Sequence, residues 1–140
     1  MTEKRVKELV GLWKHRLGLD LWDIDVVVGD FEEPDYAELK RSVSYDRALL
    51  RIQAWAVAEK APPREDMMPS KVTPHFLETC IVHELLHAVH RDYTAVILDD
   101  LDGFLHRDAQ EMLERMMKRI DEQHIDRLAR ALVLAWNEEH

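Results

Sequence analysis

Residues 73 to 90 read TPHFLETCIVHELLHAVH, and within them His83, Glu84 and His87 form the pattern HExxH. Thr73 is a hydroxyl N-cap and Pro74 suits the first helical position, where a missing N–H costs nothing. The spacing therefore predicts a helix from there to about Arg91. At about 100° per residue, Phe76, Cys80, His83, His87 and His90 share one face, while Ile81, Val82, Leu85, Ala88 and Val89 cover the other. A helix this apolar is expected to be buried. Three histidines and a glutamate inside it need partners, and one metal ion is the simplest.

Two imidazoles one helical turn apart can hold a single zinc ion, with Glu84 beside it as general base for a bound water. With 8 histidines in 140 residues, chance supplies HExxH in roughly one chain in twenty, so the helical context carries the weight. His90 shares the face, but at 1.5 Å rise per residue it lies about 10 Å along the axis from His83, outside one coordination sphere. Cys80 is read as a small buried hydrophobe in preference to a thiolate ligand.

A third ligand must come from elsewhere. Glu122 and Asp126 stand four apart in the acidic stretch DEQHIDRLA, so on a helix they approach one point together. Glu111 and Glu114 compete for the role, with His106 a more remote choice. A metzincin would place a third histidine at position 93 after a glycine turn; Tyr93 stands there instead and no glycine precedes it.

The pairing of HExxH with a downstream ExxxD resembles the gluzincin metallopeptidases, the thermolysin-like group, and the small zincins of phage and bacterial genomes. That resemblance implies His83, His87 and Glu122 as zinc ligands, Glu84 as the general base, and Asp126 as the acceptor that orients His83. A ligating imidazole does need an acceptor on its second nitrogen, to set its tautomer. The gap from His87 to Glu122 is longer than in large gluzincins, with Asp99-Asp100-Leu101-Asp102-Gly103 read as a loop or insertion.

The remaining chain supplies the elements such a core requires. Val6, Leu9, Val10, Trp13 and Leu17 have the spacing of an amphipathic helix from Glu3 to Leu17, closed by Gly18. Trp22 to Val28 reads as a strand stopping at Gly29-Asp30, followed by the loop Glu32-Glu33-Pro34-Asp35. Ala37 to Tyr45 alternates as a half-buried strand, Asp46-Arg47 makes a turn, and Ala48 to Trp55 returns as its hairpin partner. Pro62, Pro63 and Pro69 mark 56 to 72 as a loop, in which Met67-Met68 most simply cover the core. Tyr93 to Leu98 is ambiguous. From His106 to Trp136 there is no Gly or Pro, and Met112, Met116, Ile120, Leu128, Leu132 and Trp136 recur near helical spacing. One long helix is expected there, or two with a break near Asp121-Glu122.

The expected fold is thus α+β, a minimal zincin-like core in a single domain over residues 1–140. It comprises an N-terminal helix, a three-stranded and mostly antiparallel sheet, the HExxH helix and a C-terminal ligand helix or helices. Twenty-eight acidic residues against 19 basic ones give a net charge of −9, which disfavours nucleic acid as a partner. The start Met1-Thr2-Glu3-Lys4-Arg5 has no apolar signal core, no stretch approaches a membrane span, and one cysteine permits no internal disulfide. A cytoplasmic protein without membrane partners is expected.

The reaction implied is zinc-assisted hydrolysis of a peptide or protein substrate. Ala48 to Trp55 is the expected edge for an extended substrate, and Tyr93, His90, His106 or Tyr45 the candidate donors to the tetrahedral oxyanion. The alternatives are a metal-binding zincin-like interaction module without protease activity, and a helix-rich structural protein with an accidental motif.

Overall fold

The computed structural model of the protein describes residues 1–32, 36–41, 47–60, 74–101 and 106–139. The fold is α+β, in the order α1 (Glu3–Arg16), β1 (Asp23–Gly29), β2 (Ala37–Arg41), β3 (Arg47–Gln53), short α2 (Ala54–Val57), α3 (Pro74–Leu101) and α4 (Arg107–Glu139). Glu33 to Asp35, the Asp46 turn position, Tyr45, Met67, Met68, Thr73 and Gly103 lie outside the described residues.

Helix α1 starts because Thr2 Oγ1 accepts the Arg5 N–H at 3.1 Å. It stops because Gly18, at φ 72°, turns the chain into the left-handed region that a Cβ disfavours. Gly18 and Leu19 then return their N–H groups to His15 and Lys14 at 3.1 and 2.9 Å, satisfying the last carbonyls. Val6, Leu9, Val10 and Trp13 form its buried stripe.

The sheet has the order β1-β3-β2, with β1 and β3 parallel and β2 and β3 antiparallel. Its register explains the alternation. Ile24, Val26 and Val28 align with Ala48, Leu50 and Ile52, which align in turn with Leu39 and Ala37 through the last two. These residues make the inner face, with Leu50 and Ile52 fully buried. The outer face carries ion pairs between register neighbours, Arg51 to Glu38 at 2.9 Å and Arg47 to Asp23 at 3.3 Å.

β3 is therefore the central strand, paired on both sides, and not the free edge expected for a substrate. The edge beside the HExxH helix is β2. The third strand also ends at Gln53, two residues before the expected Trp55, because Ala54 to Val57 turn into α2.

α3 is longer than its caps suggested, running through the ambiguous segment to Leu101. Leu77, Ile81, Val82, Leu85, Leu86 and Ala88 are buried, whereas Val89, expected on the same covered side, is 42 % exposed. α4 continues without a break through Asp121-Glu122. Its second half buries Ile125, Ala129 and Val133.

α1, α3 and α4 are joined by one buried carboxylate. Trp13 Nε1 donates to Glu78 Oε1 at 2.7 Å, and Asn137 Nδ2 reaches Glu78 Oε2 at 3.4 Å. The Trp13 and Trp136 rings meet edge-on at 6.2 Å, with the Arg16 guanidinium 3.5 Å from the Trp136 ring centroid. This arrangement sets the angle at which α4 crosses α3, and so where residues 122 and 126 fall.

Candidate metal centre

The face of α3 opposite its buried stripe carries His83, Glu84 and His87, whose potential ligand atoms lie within 4.8 Å of one another. The two imidazole rings are 5.1 Å apart between centroids. α4 brings Glu122 over them: Oε1 lies 2.6 Å from His83 Nε2 and Oε2 lies 3.2 Å from His87 Nε2. One carboxylate thus meets both Nε2 atoms from a helix 39 residues away in sequence.

The other nitrogen of His83 faces the same helix one turn on. Asp126 Oδ1 is 3.7 Å from His83 Nδ1, and Asp126 Oδ2 is held by Arg130 at 3.2 Å. The Glu122/Asp126 spacing therefore embraces one ring from its two sides. His83 is the more sheltered imidazole, 17 % exposed against 33 % for His87.

The donor set fits a zinc ion in type and spacing. Nitrogen and oxygen ligands about 2.0–2.2 Å from a tetrahedral ion stand roughly 3.3–3.6 Å apart. The His87 to Glu122 distance is already close to that, and Glu122 would retreat from His83 by less than about 1 Å to match it.

Glu84 points elsewhere, towards the sheet. Its Oε2 accepts the backbone N–H of Leu39 at 2.9 Å. That N–H is free of the ladder because Gln53 N–H bonds to Tyr36 O and the register puts Leu39 opposite Leu50, three pairs further along. Antiparallel pairs alternate between bonded and non-bonded, so Ala37 and Leu39 turn their backbone groups outward. The edge strand and the glutamate are thereby locked together.

His83, Glu84, His87, Glu122 and Asp126 line a cleft of about 730 Å³, together with Tyr36, Ala37, Phe76, Thr79, Cys80 and Arg130. Tyr36 packs edge-on between Trp55 and Phe76, each at 5.0 Å. Its hydroxyl is pushed up to about 12, chiefly by burial and next by the neighbouring Cys80, so it keeps its proton in neutral solution.

Of the competing ligands, Glu111 pairs with Arg107 at 3.4 Å. It lies three turns upstream of Glu122, about 16 Å along the helix. Glu114 is likewise exposed on that outer portion, and His106 is exposed at the start of α4. His90 turns its ring to His124, at 5.6 Å between centroids, and is not among the residues lining the cleft. Cys80 lines the cleft wall one turn before His83.

Three participants carry no motif in the sequence. Leu39 acts through its backbone, which no side-chain pattern announces. Tyr36 reaches the cleft only through tertiary packing. Arg130 could have been found, since it follows Asp126 by one helical turn.

Comparison with protein-family models, with curated proteins and with solved structures yields no match. Among the described residues, no helix is long and apolar enough to cross a membrane.

Proposed function

We propose that the chain is a zinc-dependent metallopeptidase, with His83, His87 and Glu122 as ligands and Glu84 as general base. The observation that carries this is the meeting of the Glu122 carboxylate with both Nε2 atoms, at 2.6 and 3.2 Å. Two imidazoles and one carboxylate with room beside them are the donor set of hydrolytic zinc sites, a set that structural zinc sites rarely use.

Zinc bound there would lower the pKa of a coordinated water towards about 7 and polarise a substrate carbonyl. Glu84 would take the proton and deliver it to the leaving amine, completing amide hydrolysis. The Leu39 N–H holds that carboxylate on the sheet side of the cleft. Asp126 stands 3.7 Å from His83 Nδ1, where a carboxylate favours the tautomer with the proton on Nδ1 and leaves Nε2 for the metal. An extended peptide would add to the outer edge of β2, where Ala37 offers its backbone beside the cleft. Tyr36 and Arg130 are two donors lining the same cleft that could meet a developing oxyanion or a substrate carbonyl.

Metal analysis of the purified protein tests the ligand set. About one equivalent of zinc is expected, lost in His83→Ala, strongly weakened in Glu122→Gln and unchanged in Glu111→Gln. Zinc retained in full by Glu122→Gln would remove the third-ligand assignment. Cleavage of a peptide library by the zinc-loaded protein, abolished in Glu84→Gln, separates a peptidase from a metal-binding interaction module.

A further inference from the structure

The first half of α4 carries an apolar stripe that the core does not use. Gln110, Leu113, Met117 and Asp121 are its half-buried positions, at spacings of three and four. Offset from them, Ala109, Met112, Met116 and Ile120 form a second row at the same spacing, on the outside of the helix. Met112, Met116 and Ile120 are 57 %, 50 % and 60 % exposed. The row runs over twelve residues, about 16 Å of helix.

Charge decides what fits it. The chain as a whole carries −9, which opposes its own association. Residues 107 to 120 escape that bias, with Arg107, Arg115, Lys118 and Arg119 against Asp108, Glu111 and Glu114. The charges are also ordered. On the flank of the stripe, Asp108 and Glu111 occupy the first turns, and Arg115 and Arg119 the next two.

We propose that this face is a self-association surface, on which a second copy of the chain lays its own α4 antiparallel. Met112 and Met116 then lie over Met116 and Met112 of the second copy. Asp108 comes level with Arg119 and Glu111 with Arg115, and two-fold symmetry repeats each pair. A parallel arrangement would set this flank against the opposite one, where Gln110, Leu113 and Met117 offer no charge, so the ordering selects one direction. Methionine suits such a seam, since its unbranched side chain adapts to its own image.

Sedimentation of the full-length chain tests this. The wild type should have twice the mass of one chain, and Met116→Asp, whose circular dichroism should be unchanged because the position is exposed, should sediment as one chain. Arg115→Glu with Arg119→Glu should raise the dimer dissociation constant by about tenfold or more. Adding Asp108→Arg and Glu111→Arg restores the wild-type net charge and should restore the dimer. A wild type that stays monomeric at its highest soluble concentration overturns the proposal and leaves the stripe to a different protein. A dimer indifferent to Met116→Asp, or a fourfold variant that stays dissociated, overturns it equally.

Discussion

Leu39 donates its backbone N–H to Glu84 Oε2 at 2.9 Å, tying the edge of the sheet to the centre of the HExxH helix. Proline at position 39 removes that donor and occupies the space of the carboxylate. An edge strand tolerates it because this N–H faces away from β3. Leu39→Pro is expected to keep one equivalent of zinc while peptide cleavage falls at least about tenfold. Equal loss of zinc and of cleavage would show instead that the strand shapes the ligand set.

Asp126 and Arg130 form a chain behind His83, at 3.7 and 3.2 Å. Asp126→Asn should weaken zinc binding by about 10–100-fold, read by competition with a chelator. Arg130→Ala, which leaves the aspartate in place, should cost less than Asp126→Asn in the same assay. A larger effect from Arg130 would mean that the arginine, and not the aspartate, organises the site.

Glu78 is the buried acceptor for Trp13 and Asn137. Glu78→Ala leaves the Trp13 indole N–H without its acceptor and should destabilise the fold by about 2–3 kcal/mol. Urea denaturation should show a lower midpoint with an unchanged slope. Glu78→Gln, which keeps an acceptor for Trp13, should retain much of that stability.

Tyr36 sets a limit at alkaline pH. Its folded-state value of about 12 lies above the ordinary tyrosine value of 10.0. Between the two the folded chain holds a proton that the unfolded chain has released, so stability falls as pH rises through that window. The melting temperature of the wild type should therefore drop more between pH 10 and 12 than that of Tyr36→Phe. Parallel curves would refute the assignment.

The sequence made the local elements legible and left their assembly hidden. Helical spacing and Gly18 were enough to bound α1, and Ala48 to Trp55 was legible as a strand that pairs with the one begun at Ala37. Strand order was beyond reach, because Ala48 to Gln53 alternates in the same way whether it pairs on one side or two. Val26 to Val28 marked a strand without saying that its partner runs parallel. The two-histidine motif and the Glu122/Asp126 spacing were both visible as helix geometry. Their convergence depends on how α4 crosses α3, which Trp13, Glu78 and Asn137 govern from the far end. Tyr45 and Tyr93, expected as oxyanion donors, fall where the structure describes no side chain.

The site straddles the seam between two helices, His83 and His87 on α3 and Glu122 on α4. An ion held there would act as a thermodynamic cross-link, tightening the helix pair by as much as the paired state improves its binding over the parted one. Affinity for metal and adhesion of α4 become one quantity read from two ends. Any substitution that loosens the distant tryptophan cluster should then be detected first as metal released, before any helix unfolds.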